Sequence, residues 1–241
     1  MKHSKKSLAL AILLSLGVCS NAWASVLIAD GFEYKGDGTT KVVDTSVAIG
    51  DNVNANGLYS NAIGSDTTAK GDYTIAIGRE AIAIEVNSNA LGHKTIVEGK
   101  YSNAFGHLAY ITSNYSNAIG LSSSATGESS TAIGSMAKAS GKNSIAIGSG
   151  SDITEDKTAT ETSFYYELQP LADGDFAIVV GTGSKASGKY ANAFGYSATA
   201  SKENSNAMGN NATASGVNSN AIGNTATASG AQSKAYGVGA K

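Results

Sequence analysis

His93 and His107 are the side chains of this 241-residue chain best suited to hold a metal, and Arg79 stands 14 positions before the first of them. An imidazole pair binds zinc only when further ligands complete the set. No cysteine or carboxylate is spaced to do so, and each histidine directly follows a glycine, Gly92 or Gly106, where a turn would face solvent. The pair is therefore expected to stack on adjacent turns without a metal. The other cluster of chemistry lies between Gly150 and Leu171, with Asp152, Glu155, Asp156, Glu161 and Glu167 beside Lys157, the run Phe164, Tyr165 and Tyr166, and the one proline, Pro170. These acids lack the spacing of a calcium loop. The three aromatics suit a contact with a macromolecular partner, or they pin the segment to the body of the protein. With no nucleophile elbow, phosphate loop or pair of acids in an apolar setting, the chain is expected to have no catalytic residue and no cofactor.

The elements that position these groups are set by a repeat. Thirteen glycines close short apolar runs: Gly50, Gly64, Gly78, Gly92, Gly106, Gly120, Gly134 and Gly148 at intervals of 14, then Gly181, Gly195, Gly209, Gly223 and Gly237 at the same interval. The gap of 33 between the blocks is one period plus 19 residues. A fixed short period marks a solenoid, whose units cannot bury their apolar faces alone. Two before the glycine stands Ala in twelve of the thirteen copies, one before it a large residue, and four before it Ser, Thr or Ala. Such alternation is the period-2 pattern of a strand with opposite faces. A second glycine lies seven residues upstream in nine copies, among them Gly57, Gly71, Gly99, Gly216 and Gly230. Each coil is thus expected to hold two short strands and two tight turns, with glycine entering positive φ at both turns.

Residues 1–24 carry Lys2, Lys5 and Lys6, an apolar run from Leu8 to Val18, and Ala22-Trp23-Ala24 before Ser25, the pattern of a secretory signal peptide. The apolar run is too short to span a membrane, which takes about 20 residues, and no later stretch of the sequence qualifies. Removing it leaves no cysteine, so disulfides play no part in stability. It also leaves 14 basic residues against 19 acidic ones, a formal charge of −5 that disfavours nucleic acid as a partner.

A 14-residue coil encloses a narrow interior, which Ala, Ser and Gly can fill. The large residues are then left outside as a ladder: Ile49, Ile63, Ile77, Leu91, Phe105, Ile119, Ile133, Ile147, Phe194, Met208 and Ile222, with Val180 and Tyr236 in phase. An apolar stripe of that length exceeds what soluble monomers expose. Self-association through the stripe is the expected remedy, because each large aliphatic side chain buried contributes about 1.5–3 kcal/mol. The competing arrangement turns the large residues inward and the alanines outward, giving a monomer.

Ser-Asn-Ala-Ile-Gly at Ser60 to Gly64, Ser116 to Gly120 and Ser219 to Gly223, with Ala-x-Ala-Ser-Gly at Ala137 to Gly141 and Ala226 to Gly230, resembles the head repeats of trimeric autotransporter adhesins, the YadA-like heads. The resemblance covers about residues 46–237. It implies an all-β fold, a left-handed parallel β-roll solenoid of 14-residue coils. It also implies a homotrimer, exported to the cell surface or outer membrane, that binds a host extracellular-matrix protein or cell-surface receptor.

The family continues from the head into a neck, a coiled-coil stalk and an outer-membrane barrel, whereas this chain reaches Lys241 four residues after Gly237 without heptads or barrel strands. It is therefore not expected to anchor itself by that route, and a secreted head or a truncated, non-functional remnant is the alternative. A further alternative is an ice-binding solenoid, suggested by the column Thr199, Thr213 and Thr227, although Lys138 and Lys185 interrupt it upstream. The expected organisation is a signal peptide over 1–24, a lead-in over 25–45, β-roll repeats over 46–149, an inserted loop over 150–172 and β-roll repeats over 173–241.

Overall fold

The computed structural model describes residues 25–28, 34–35, 41–42, 45–150 and 168–241. The signal-peptide segment and Phe164, Tyr165 and Tyr166 lie outside the described residues. Among the described residues twenty-eight short strands, β1 to β28 in chain order, form two sheets of 14 strands each, and none is helical. From β3 (Lys41–Val42), β4 (Val47–Asp51) and β5 (Asn54–Ala55) onward, successive strands alternate between the sheets, so each strand pairs with the strand two places on in sequence. The fold is a parallel β-solenoid with a 14-residue coil. Its pairing keeps strict register: Ala90 lies opposite Ala104, Ala104 opposite Ala118, and Ala118 opposite Ala132.

The interior follows from the small residues. Ala48, Ala62, Ala76, Ala90 and their successors are fully buried, together with the alanine column of the second sheet and serines such as Ser46, Ser60 and Ser116. Only a few larger side chains enter, among them Ile111, Val53, Val97 and Val179. The arrangement with alanines outside is therefore not the one adopted. Some buried hydroxyls close turn carbonyls on the next coil, as Ser102 Oγ donates to the Ser113 carbonyl at 2.9 Å and Ser116 Oγ to that of Gly127 at 2.9 Å, whereas Ser130 Oγ and Ser144 Oγ have no hydrogen-bond partner. Burying a polar group costs little when it is bonded in this way.

The turns differ from expectation in one respect. The thirteen glycines that close the apolar runs all have φ between +115° and +145°, a region closed to other residues. The second glycine column, seven residues upstream, has no positive φ. There the reason for glycine is close approach: a Cβ added at Gly216 would lie 1.9 Å from the Gly230 carbonyl oxygen on the next coil. Among the described residues positive φ falls instead on 23 other than glycine, including Tyr59, Tyr73, Leu108, Tyr115, Met136 and Phe176. Each bulky left-handed residue costs about 1–2 kcal/mol. The stacked coils impose it, since the Tyr115 amide donates to the Lys100 carbonyl at 2.9 Å and the Tyr101 amide to that of Val86 at 3.1 Å.

The described strands on either side of the insertion pair directly with each other. Strand β18 (Ile145–Ile147) pairs in parallel with β20 (Ile178–Val180), Ile145 opposite Ile178, and β17 (Lys138–Ala139) pairs with β19 (Leu171–Ala172). Pro170 is fully buried where the chain re-enters the second sheet.

Candidate assembly and contact site

From β8 (Ile75–Ile77) onward each strand of the first sheet presents three side chains in the order out, in, out. In the coil ending at Gly120, Asn117 and Ile119 face outward while Ala118 is buried. Parallel register then stacks like on like. Ile49, Ile63 and Ile77 lie opposite one another in turn, as do Leu91 and Phe105, Phe105 and Ile119, and Ile133 and Ile147, and the file resumes through Val180, Phe194, Met208, Ile222 and Tyr236. Ile119 is 41 % exposed and Met208 43 %, high for aliphatic side chains repeated along a whole sheet. A continuous apolar file of this kind marks an interaction surface.

Beside it runs a second column three places before each glycine. Asn89 Nδ2 donates to Asn103 Oδ1 at 2.7 Å and Asn103 to Asn117 at 3.2 Å, and the pattern recurs from Asn192 to Asn206 at 2.7 Å and from Asn206 to Asn220 at 2.9 Å. These amide ladders run along the rod and tie neighbouring coils together. The recurrence of Ser-Asn-Ala was legible in the sequence, but axial bonding between the amides was not drawn from it.

The turn preceding this sheet carries an exposed aromatic column. Tyr59 stacks on Tyr73 with centroids 5.1 Å apart, Tyr101 on Tyr115 at 5.4 Å, and Phe176 on Tyr190 at 5.0 Å. Sequence reasoning missed it, although the constant distance from each tyrosine to the glycine five residues on was the available signal.

At the opposite turn the rings of His93 and His107 stack 4.8 Å apart, 6° from parallel. Arg79 Nη2 lies 2.6 Å from His93 Nε2. A guanidinium only donates, so His93 Nε2 accepts and its proton sits on Nδ1. Partial burial of the ring, followed by the Arg79 charge, His107 and Lys94, holds His93 below the usual imidazole range, with Glu80 opposing. Glu80 lies 3.5 Å from Arg79 Nε and 3.6 Å from Lys94 Nζ, an exposed ion cluster. Among the described residues no group of three or more His, Cys, Asp or Glu side chains is arranged to hold a metal.

On the second sheet Thr199, Thr213 and Thr227 do align in register, and the column is preceded by Lys185. Among the described residues no helix is long and apolar enough to cross a membrane.

The sequence model of the YadA head domain repeat matches residues 55–81, 125–151, 172–198, 186–212, 200–226 and 214–240, together just over half of the chain. No curated protein matches the sequence.

Proposed function

Because the chain belongs to the YadA head repeat family, a family of adhesin repeats and not of enzymes, we propose that it is the head of an exported, homotrimeric adhesin. In this reading three rods associate side by side through the file from Ile49 to Ile222, and the remaining surface attaches to a host extracellular-matrix protein or cell-surface receptor. The observation that carries it is the unbroken outward file of large apolar side chains over a core of alanine. In the single rod each is at most 43 % exposed, so burying what remains contributes about 0.5–1 kcal/mol, which summed along the file offsets the entropy lost when three chains associate. A rigid array of repeated outer surfaces also suits a repetitive partner, where many weak contacts add in avidity.

Attachment is assigned to either the inserted segment with Phe164, Tyr165 and Tyr166 or the repeated coil faces. Sedimentation of residues 25–241, paired with binding to collagen, fibronectin and laminin surfaces, tests both halves of the proposal. A trimer that binds one of these surfaces supports it. A folded monomer removes the interface, and a trimer that binds none of them removes matrix attachment. Deleting 151–167 then locates the contact: lost binding assigns it to the insertion, retained binding to the coils.

A further inference from the structure

The aromatic column at the turn preceding the first sheet is interrupted, and its interruptions are unequal. Five residues before the repeat glycine, five consecutive coils carry Tyr59, Tyr73, Asn87, Tyr101 and Tyr115. The next break, Ser129 and Asn143 before Phe176, is two coils wide, whereas the break at Asn87 is one coil wide. Tyr73, Asn87 and Tyr101 share one backbone conformation, with φ of +57°, +53° and +55°. The Asn87 amide donates to the Asp72 carbonyl at 3.0 Å and the Tyr101 amide to that of Val86 at 3.1 Å. The three side chains therefore leave the rod from the same place on three successive coils.

Tyr73 spends one ring face on Tyr59, and Tyr101 spends one on Tyr115. Their opposite faces are turned toward each other across Asn87. Two coil steps set these rings about 9.5 Å apart, so the shorter asparagine leaves a slot between them. A ring seated midway lies about 4.8 Å from each tyrosine, inside the range of about 4.5–7 Å over which stacked rings make contact. Tyr73 is 55 % exposed and Tyr101 49 %, so the slot opens to solvent. Asn87 is half-buried at its floor, and its side-chain amide bonds to no described residue. The charges at its rim are already matched: Asp72 Oδ1 accepts from the Leu58 amide at 2.9 Å, and Lys100 Nζ lies 4.0 Å from Glu85 Oε2.

Two apolar walls over a polar floor, with the neighbouring charges paired, fit an uncharged ring that has apolar faces and a polar edge. A pyranose is such a ring. Its C–H groups carry partial positive charge and pack on the negative faces of the tyrosines, while a hydroxyl at its edge offers a donor and an acceptor to the Asn87 amide. A proline ring has the faces without the edge and would bury that amide unpaired, at a cost. A nucleobase has both, but it brings phosphates to a chain of net negative charge.

We propose that Tyr73, Asn87 and Tyr101 form a binding site for a neutral pyranose unit of a glycan. The site lies at the edge of the first sheet away from the apolar file, with the column of Ile75, Asn89 and Asn103 between the two, so lateral association leaves it open. Its use in attachment rests on the adhesin reading, for which it names a sugar as what the coils contact, whereas the site itself is complete in one chain.

The test exposes the full chain to the methyl glycosides of glucose, galactose, mannose and N-acetylglucosamine, and to an oligoproline peptide. Saturation-transfer NMR and the ring resonances of Tyr73 and Tyr101 are the readouts. At least one glycoside should bind and shift both tyrosines. Tyr73→Asn and Tyr101→Asn each remove a wall and should weaken binding about two- to twelvefold. Asn87→Tyr should abolish it, because the column then runs unbroken from Tyr59 to Tyr115, and the same side chain already occupies this turn on both neighbouring coils. Tyr190→Asn, outside the slot, should leave affinity unchanged. The proposal is overturned if no glycoside binds, if only oligoproline binds, or if binding survives Asn87→Tyr. If Asn87→Tyr alters the β circular dichroism, the wall variants decide, and undiminished binding in both overturns the proposal. Attachment of the parent to collagen, fibronectin and laminin surfaces separates the two readings. Attachment without glycoside binding overturns the site and leaves the adhesin; glycoside binding without attachment upholds the site and removes matrix attachment.

Discussion

Arg79 donates to His93 Nε2 across one coil step at 2.6 Å, and this contact fixes the tautomer and charge of the imidazole. Protonating that nitrogen would place two cationic donors against each other beside Lys94. Partial burial and these charges lower the folded-state pKa of His93, with Glu80 opposing weakly. An unfolded histidine takes up its proton near pH 6.5, so over the interval below that value the unfolded chain binds more protons than the folded one. Stability is then full above about pH 6.5 and falls as pH drops through that value towards the lowered folded pKa. Imidazole NMR should show His93 titrating below the ordinary range. Arg79→Gln should move it upward and flatten the pH dependence of the thermal midpoint between pH 5 and 7. An unchanged His93 titration in Arg79→Gln would show that the charge has no such role.

Ile119→Asp with Ile133→Asp tests the lateral interface. Both residues lie on the outward file, in register on adjacent strands, and neither fills the alanine core. Each substitution removes about 0.5–1 kcal/mol of apolar burial per chain in the assembly, since Ile119 is 41 % exposed in the single rod, and introduces a charge that must be desolvated there. Sedimentation should show loss of the trimer with β circular dichroism preserved. Unchanged mass and stability would place the interface on another face.

Much of this architecture is legible in the residues themselves. Ala118 beside Ile119, repeated every 14 positions, contains the strand, its two faces and the parallel stacking, because a narrow coil admits only small side chains. The conformations of Tyr101 and Tyr115 are not legible in this way. Local preference argues against bulky residues at positive φ, and only the amide ladder between coils, formed after stacking, reverses it. The role of Gly216 was hidden for a related reason. Glycine at a turn suggests backbone freedom, whereas the structure shows a carbonyl of the next coil where a side chain would be. Composition marked the segment around Tyr165 as different, but an insertion outside the period has no repeat from which its contacts can be inferred.

Gly106→Ala is the sharpest test of the first glycine column. Its φ is +145°, and an added Cβ would meet the Gly120 carbonyl oxygen at 2.3 Å. Backbone strain of about 1–3 kcal/mol and overpacking of similar size act together. Thermal or chemical unfolding should therefore show a loss of about 2–6 kcal/mol, or separation of the rod into blocks that melt independently, as expected when an internal repeat is weakened. A change below 1 kcal/mol would mean that the coil spacing adjusts around the methyl group.

Tyr101 and Tyr115 stack with centroids 5.4 Å apart and rings 2° from parallel, both at positive φ and about half exposed. Two opposing effects meet at each position. Asparagine tolerates the left-handed region better and already occupies the same turn at Asn87, Asn143, Asn204 and Asn218. Tyrosine instead gains ring contact along the column, about 0.5–1.5 kcal/mol per aromatic pair. Tyr101→Asn alone therefore relieves strain and loses a stack, and its net effect on stability should be under about 1 kcal/mol. The double variant with Tyr115→Asn relieves strain twice for the same lost stack, so it should be more stable than the two single changes predict by about the energy of that pair. A double-mutant cycle of unfolding free energies measures this directly. A coupling near zero would make the tyrosine column a set of independent exposed rings, tolerated at the turns without stabilising one another.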